Sequence, residues 1–139
     1  MENLIYNDGK VIVFPISGEE LEILSVSKQE FAKHINVNYV CEDFEPVENL
    51  KQRAQFLKQN QDDLATNNYW VIAKIDERAI VGYIVLTKDE NTQTINMQNY
   101  LSKNYSEEIL MRANILLKMY EQEFDLHINF ERYEMLNRE

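Results

Sequence analysis

Apolar and polar residues are patterned most regularly in the middle of the chain, over "YWVIAKIDERAIVGYIVL" at residues 69–86. Residues 69–74 alternate with the two-residue period of a β-strand. The charged "DER" at 76–78 predicts a turn, and the nearly continuous apolar run from Ile80 to Leu86 is typical of a central strand covered on both faces. The segment therefore predicts a β-hairpin. Gly82 indicates a bulge or a close backbone approach, or is simply a tolerated glycine.

Three further segments predict strands. The β-branched run "KVIVFPI" at 10–16 ends near Pro15, which favours a first strand at or near a sheet edge. Thr94–Met97 follows the turn "TKDENTQ" and predicts a third antiparallel strand. "DLHINF" at 125–130 predicts a final strand.

Ser-x-x-Glu spacing marks the starts of two short helices, because a serine oxygen and a glutamate can cap a helix reciprocally. The first follows Ser17 and the second runs from Ser27 to about Ile35. Residues 36–45 are irregular. Pro46 suits a first helical turn, and apolar residues at helical spacing predict a third helix that ends near Ala65.

The segment from about Asn104 to Phe124 predicts a fourth helix. Its apolar residues form one stripe, which three more apolar residues, Met111, Ile115 and Met119, widen. Such a broad apolar arc predicts a helix buried against a sheet. Together the elements predict a single α/β (α+β) domain over residues 1–139, with a mixed, mostly antiparallel sheet of about five strands flanked by helices.

Composition narrows the function classes. The 139-residue chain has a formal net charge of −10, which disfavours nucleic-acid and anionic-membrane binding. The favoured interpretation is a solvated acidic surface that keeps the protein soluble, with a basic protein partner or a cationic amine ligand as the alternative. No apolar run is long enough for a membrane span. The lone Cys41 excludes an internal disulfide and favours a cytoplasmic location.

Few residues carry recognisable chemistry. His34 and His127 lack the spacing of a metal site, so no metal is predicted. The acidic residues 42–48 predict a solvated loop, with a cation or a basic partner as the alternative. No glycine-rich phosphate loop is present, since Gly9, Gly18 and Gly82 are the only glycines.

The ordered set "YWVIAKIDERAIVGYIVL", "INMQNYLSKNY" and "ILLKMYEQEFDLHINF" resembles the GCN5-related N-acetyltransferase (GNAT) family, especially its branch that acetylates ribosomal proteins. The likeness covers about residues 10–130. It implies an acetyl-CoA site in which a splayed fourth strand offers backbone groups to the pantetheine. Met97, Gln98 and Asn99 are the matching candidate cofactor contacts.

The chain departs from the family pattern where the family's loop, roughly R/Q-x-x-G-x-G/A, cradles the cofactor's diphosphate. The matching residues are "NYSEEILMRA" at 104–113, without glycine. Glu107 and Glu108 repel a phosphate at a helix start, while Asn104 or Ser106 can cap the free donors. The family's catalytic carboxylate is matched by Asn96. Tyr100 and Tyr105 are the candidates for a general acid.

Two hypotheses follow. One is a binding or regulatory module, impaired or inactive in acetyl transfer, in which acetyl-CoA binding is doubtful. The alternative is an active acetyl-CoA-dependent N-acetyltransferase that acts on a primary amine. Because the chain ends soon after its fifth predicted strand, the resemblance also implies a shortened domain. We expect a homodimer in which residues 133–136 of a partner cover an edge formed by Ile128 and Phe130.

Overall fold

The computed structural model describes residues 4–130 and the backbone of residues 134–135. The strands are β1 (Tyr6–Asn7), β2 (Val11–Ile16), β3 (Tyr39–Val40), β4 (Asn68–Lys74), β5 (Ala79–Lys88), β6 (Ile95–Leu101) and β7 (Glu134–Met135). The helices are α1 (Gly18–Val26), α2 (Lys28–Ile35), α3 (Val47–Gln59) and α4 (Glu107–Glu123), and a short 3₁₀ turn spans Gln61–Asp63.

Every strand of the described chain belongs to one mixed sheet, in the order β1-β2-β4-β5-β6-β7. The pairs along β1 to β6 are antiparallel, whereas the two-residue strand β3 lies parallel to β5 and β7 lies parallel to β6. The predicted fold class, a mostly antiparallel α+β sheet with flanking helices, is confirmed. The first predicted strand is β2, which lies one strand from the edge.

The sheet is buried on both faces, as the apolar hairpin predicts. The three-helix face is covered by α1, α2 and α3, which pack Leu21, Phe31 and Leu50 against the odd-numbered residues of β4, including Tyr69. The α4 face is covered by α4, which packs side chains such as Leu117 against the even-numbered residues of β4. Alternation along one strand therefore supplies two separate cores.

Local contacts confirm the predicted caps and the role of Gly82. The Ser17 hydroxyl accepts a hydrogen bond from the Glu20 N–H at 3.1 Å, and the Glu20 carboxylate accepts one from the Ser17 N–H at 2.8 Å. The register between β4 and β5 shifts after the Ile72–Gly82 pair. A Cβ at Gly82 would lie 2.2 Å from the Tyr100 carbonyl oxygen, so only glycine lets β5 and β6 approach this closely.

Several predicted boundaries are wrong. Helix α3 ends at Gln59, well before Ala65, because the Asn60 side-chain amide donates to the Phe56 carbonyl and the chain turns. Strand β6 continues to Leu101. Within the described residues, segment 125–130 contains one isolated bridge, between Ile128 and Ile95, instead of a strand.

The outer part of the apolar stripe on α4 is exposed. Met111, Ile115 and Met119 are 64%, 59% and 51% exposed, so the prediction that they pack against the sheet is wrong. Their spacing of four residues places them on the side of α4 that faces away from the core. Among the helices of the described chain, none combines the length and apolar character needed to cross a bilayer.

Candidate functional site

The start of α4 is the place where a GNAT-like chain would receive a diphosphate, and several of its backbone donors are engaged within the chain. The Lys103 N–H donates to the Asp43 carboxylate at 3.0 Å. The Tyr105 N–H donates to the Ser102 carbonyl at 3.1 Å, and the Ile109 N–H donates to the Ser106 carbonyl at 3.0 Å. A phosphate would have to displace these bonds before it could use the same donors.

The first turn of α4 also carries its own cap and its own negative charge. Ser106 is the N-cap, and its hydroxyl accepts a hydrogen bond from the Glu108 N–H at 3.2 Å. Glu107 and Glu108 lie in the first turn, where their carboxylates interact favourably with the positive end of the helix dipole. The cap predicted at Ser106 is confirmed, whereas Asn104 lies outside the helix.

A third carboxylate, from Asp43, approaches the same loop from the three-helix face. It accepts hydrogen bonds from the Tyr100 hydroxyl at 2.6 Å, the Ser102 hydroxyl at 2.8 Å and the Lys103 N–H. Partial burial opposes ionisation of Asp43, but these three donors outweigh it and lower the pKa to about 2. The loop that follows β6 is therefore already bound to an anion from its own chain.

Tyr100 belongs to a stack of tyrosines that crosses three adjacent strands. The Tyr69 and Tyr83 rings lie 5.2 Å apart at 17°, and the Tyr83 and Tyr100 rings lie 5.4 Å apart at 23°. Tyr83 and Tyr100 are direct cross-strand partners, which brings the rings together. The stack fills the three-helix face beneath the segment that precedes α3.

Glu45 and Arg53 form an ion pair above this stack. Nε of Arg53 lies 2.7 and 2.8 Å from the two Glu45 oxygens, which also accept hydrogen bonds from the Tyr69 and Tyr83 hydroxyls. The Glu45 side chain is 1% exposed and the Arg53 side chain is 23% exposed. The guanidinium carbon lies 5.9 Å from the centres of both tyrosine rings. Both carboxylate oxygens of Glu45 therefore accept hydrogen bonds from Arg53 and from a tyrosine hydroxyl.

The prediction of a solvated acidic loop is wrong for Asp43 and Glu45. Both carboxylates point into the sheet, where strand tyrosines hold them, whereas Glu42 and Glu48 are exposed. The sequence carried one signal for this arrangement, because three tyrosines at inward positions of buried strands need partners for their hydroxyls. Among the described residues, no group of three side chains could hold a metal ion.

The three candidate cofactor contacts lie side by side on β6. Met97 is buried in the core of the α4 face, and Gln98 is partly exposed. Asn99 is fully buried, and neither its Oδ1 nor its Nδ2 forms a hydrogen bond within the described part of the chain. Gln98 and Asn99 pair with β7 on the outer side of β6.

The two candidate acids both donate to carboxylates. Burial and the hydrogen bond to Asp43 raise the pKa of Tyr100 above its ordinary value. Burial and hydrogen bonds with Tyr39 and Glu77 raise the pKa of Tyr105. Asn96, which matches the family's catalytic carboxylate, is exposed and lies one residue into β6.

The described backbone is similar to solved acetyltransferase structures. A ribosomal-protein-S5-alanine acetyltransferase from Vibrio fischeri has a TM-score of 0.57 at 16% identity, covering 91% of this chain and 72% of that one. An acetyltransferase of the GNAT family from Bacillus anthracis has a TM-score of 0.53 at 18% identity, covering 90% of this chain and 71% of that one. No family model and no curated protein sequence matches the chain.

The chain has the GCN5-related N-acetyltransferase fold. The resemblance seen in the sequence is thereby confirmed for the fold. Within the GNAT fold, the residues at the start of α4 do not fit a diphosphate. Three N–H groups of this segment donate to Asp43, Ser102 and Ser106. The first turn carries the acidic Glu107 and Glu108, and Arg112 lies 3.4 Å from the Glu108 carboxylate.

Proposed function

We propose that this chain is a GNAT-fold binding or regulatory module that is impaired or inactive as an acetyltransferase. The observation that carries the proposal is the internally satisfied start of α4, where Ser106 caps the helix and Glu107 and Glu108 supply negative charge. Anions are stabilised at helix starts by free N–H groups and the positive dipole end. In this chain the Ser106 hydroxyl accepts a hydrogen bond from one of these N–H groups, and the Glu107 and Glu108 carboxylates lie at the positive end of the dipole.

The Asp43 carboxylate supports the same proposal. It takes the Lys103 N–H and two hydroxyl groups at the end of β6, next to the first residues of the loop. A diphosphate close to this carboxylate would meet an ionised group, since the pKa of Asp43 is about 2. Repulsion between the two would weaken cofactor binding further.

One observation favours the alternative, an active acetyl-CoA-dependent N-acetyltransferase for a primary amine. The buried Asn99 amide has no partner within the described residues, and unpaired buried amides are costly in proteins. The amide groups of a pantetheine arm beside β6 would supply partners once the arm displaced β7, which pairs with β6 at Asn99. Acetyl-CoA binding without tight diphosphate contacts would then be weak but productive.

Charge and cysteine content support our proposals for the partner and the location. The net charge of −10 supports a basic protein or an amine as the ligand of the module, and it opposes nucleic acid and anionic membranes. The lone Cys41 supports a cytoplasmic location. We retain the homodimer as a proposal and give its test below.

Calorimetric titration with acetyl-CoA tests the proposal. The wild-type chain should give no saturable binding below millimolar ligand. Glu107→Gln/Glu108→Gln removes two negative charges from the first turn, and we expect it to bind acetyl-CoA about tenfold more tightly or better, since each charge at a helix start is worth up to about 1 kcal/mol. The matched control, Glu42→Gln/Glu48→Gln, makes the same charge change at exposed positions.

Binding by the Glu107→Gln/Glu108→Gln variant alone would support a site closed by its own acidic residues. Saturable micromolar binding by the wild-type chain would contradict the proposal. Transfer of radioactive acetyl groups to a panel of primary amines by the wild-type chain would establish the alternative.

A further inference from the structure

A pocket with a volume of about 450 Å³ opens between α3 and the adjoining ends of β4 and β5. Its walls include Gln52, Arg53 and Phe56 from α3, Tyr69 from β4, and Val85 and Thr87 from β5. None of its lining residues belongs to the 103–109 loop. Pockets of this volume, with mostly apolar walls and a few polar groups, are typical of small-molecule sites.

Arg53 is the charged group in the wall of this pocket. Nε of Arg53 donates to both carboxylate oxygens of Glu45. The Arg53 side chain is 23% exposed, whereas the Glu45 side chain is only 1% exposed. Arg53 lines the pocket, so the guanidinium reaches it while Nε is engaged by Glu45. Two parallel N–H groups in one plane match the two oxygens of a carboxylate.

The Arg53 side chain is held before any ligand arrives. Glu45 fixes Nε, and the guanidinium lies over the stacked Tyr69 and Tyr83 rings. A ligand therefore does not have to order a flexible arginine, which lowers the entropy cost of binding. A buried ion pair is weak evidence for stability, because apolar residues of similar volume often stabilise a core equally well. Binding of a ligand would explain why the chain has a buried ion pair at this position.

The remaining walls favour a ligand with an apolar body. Phe56 is 39% exposed although it is a large apolar residue on α3, and Val85 and Leu57 line the pocket as well. The neutral hydrogen-bonding groups of the wall come from Asn49, Gln52, Asn68 and Thr87. No acidic side chain is among the residues that line this pocket, in contrast to the surface as a whole.

We propose that the pocket between α3 and the ends of β4 and β5 binds a small organic carboxylate with an apolar body, through the tip of the Arg53 guanidinium and the Phe56 ring. This site does not depend on whether the start of α4 accepts acetyl-CoA, because the two share no residue. The Glu45–Arg53 pair then serves to orient a binding group as well as to satisfy a core carboxylate.

The test uses 3-phenylpropionate as the probe and its neutral analogue 3-phenylpropanamide as the matched control, followed by NMR of the isotopically labelled full chain. We expect saturable shifts in the backbone amides of residues 49–57 and 85–87 with the acid. The amide should bind about tenfold more weakly or worse, because it cannot form the charge-assisted pair of hydrogen bonds that a carboxylate forms with a guanidinium.

Two variants separate ligand recognition from folding. Phe56→Ala removes only apolar contact and leaves the ion pair intact, so the affinity for 3-phenylpropionate should fall about tenfold without loss of the folded spectrum. Arg53→Lys keeps the positive charge but loses the planar fork, so it should reduce the preference for the acid over the amide. If the Arg53→Lys variant unfolds, the comparison of the acid with the amide and the Phe56→Ala variant still test the proposal.

Equal affinity for the acid and the amide would overturn the proposal, as would shifts that map away from the pocket or fail to saturate. A peptide that ends in a free phenylalanine carboxylate provides a further arm. If it bound about tenfold more tightly than 3-phenylpropionate, the pocket would be assigned to a protein C-terminus instead of a small molecule.

Discussion

Asp43 joins two parts of the chain that lie far apart in sequence. Its carboxylate accepts hydrogen bonds from Tyr100, Ser102 and the Lys103 N–H, which ties the segment before α3 to the end of β6. Its neighbour Glu42 is exposed and makes no comparable set of contacts among the described residues. Two adjacent acidic residues thus have different roles, because only the Asp43 carboxylate reaches hydrogen-bond donors at the end of β6.

The Asp43 contacts should make stability depend on pH in acid. The pKa of Asp43 is about 2 in the folded chain, below its ordinary value of 3.8. The stabilisation is therefore fully present above about pH 4 and is lost as the pH falls toward 2. The difference in free energy of unfolding between the wild type and Asp43→Asn, measured with urea, should be constant above pH 4 and shrink below it.

Glu42→Gln, at the exposed neighbouring position, is the control for this pH series and should follow the wild type closely. A difference between the wild type and Asp43→Asn that is the same at pH 2 and pH 7 would show that Asp43 does not stabilise the fold as a carboxylate.

At the scale of elements, the sequence correctly predicted those features of the helices and strands that depend on local contacts. The Ser17 capping box, the start of α2 after Ser27, the hairpin and the close approach at Gly82 each depend on neighbouring residues or on one strand pair, and each is confirmed. The predicted end of α3 near Ala65 was wrong, because the helix ends where the Asn60 side chain donates a hydrogen bond and not where the apolar spacing stops.

The candidate site was predicted less completely, because it depends on contacts between distant parts of the chain. The acidic first turn of α4 could be predicted from the sequence, since capping and dipole effects are local. The insertion of Asp43 and Glu45 among Tyr69, Tyr83 and Tyr100 could not, because residues 42–48 and the strand tyrosines meet only in the folded sheet.

At the scale of the whole molecule, the homodimer stays a prediction. The side chains of residues 133–136, which were expected to cover the edge, lie outside the described residues, and the surface that we now expect to form the dimer is a different one. Ile128 is 4% exposed within its own chain, so it does not form the bare apolar edge expected from the sequence. Phe130 is partly buried against the same core. The exposed residues Met111, Ile115 and Met119 on α4 are the larger apolar surface, and such surfaces commonly mark contacts between proteins.

We therefore expect light scattering at micromolar concentration to give the mass of a dimer, and Ile115→Glu to give that of a monomer. A charge in the middle of the exposed α4 stripe should disrupt an apolar contact while leaving the core unaffected, because Ile115 is 59% exposed. The control Lys118→Glu changes a polar position on the same helix. A monomeric wild-type chain would refute the dimer.

The central claim is that the start of α4 is already satisfied by groups of the chain itself. NMR of the labelled wild-type chain during titration with coenzyme A tests this claim at the atoms concerned. We expect the backbone amides of residues 103–109 to keep their chemical shifts up to millimolar coenzyme A. Saturable shifts of those amides at micromolar coenzyme A would contradict it and would favour a working acetyltransferase.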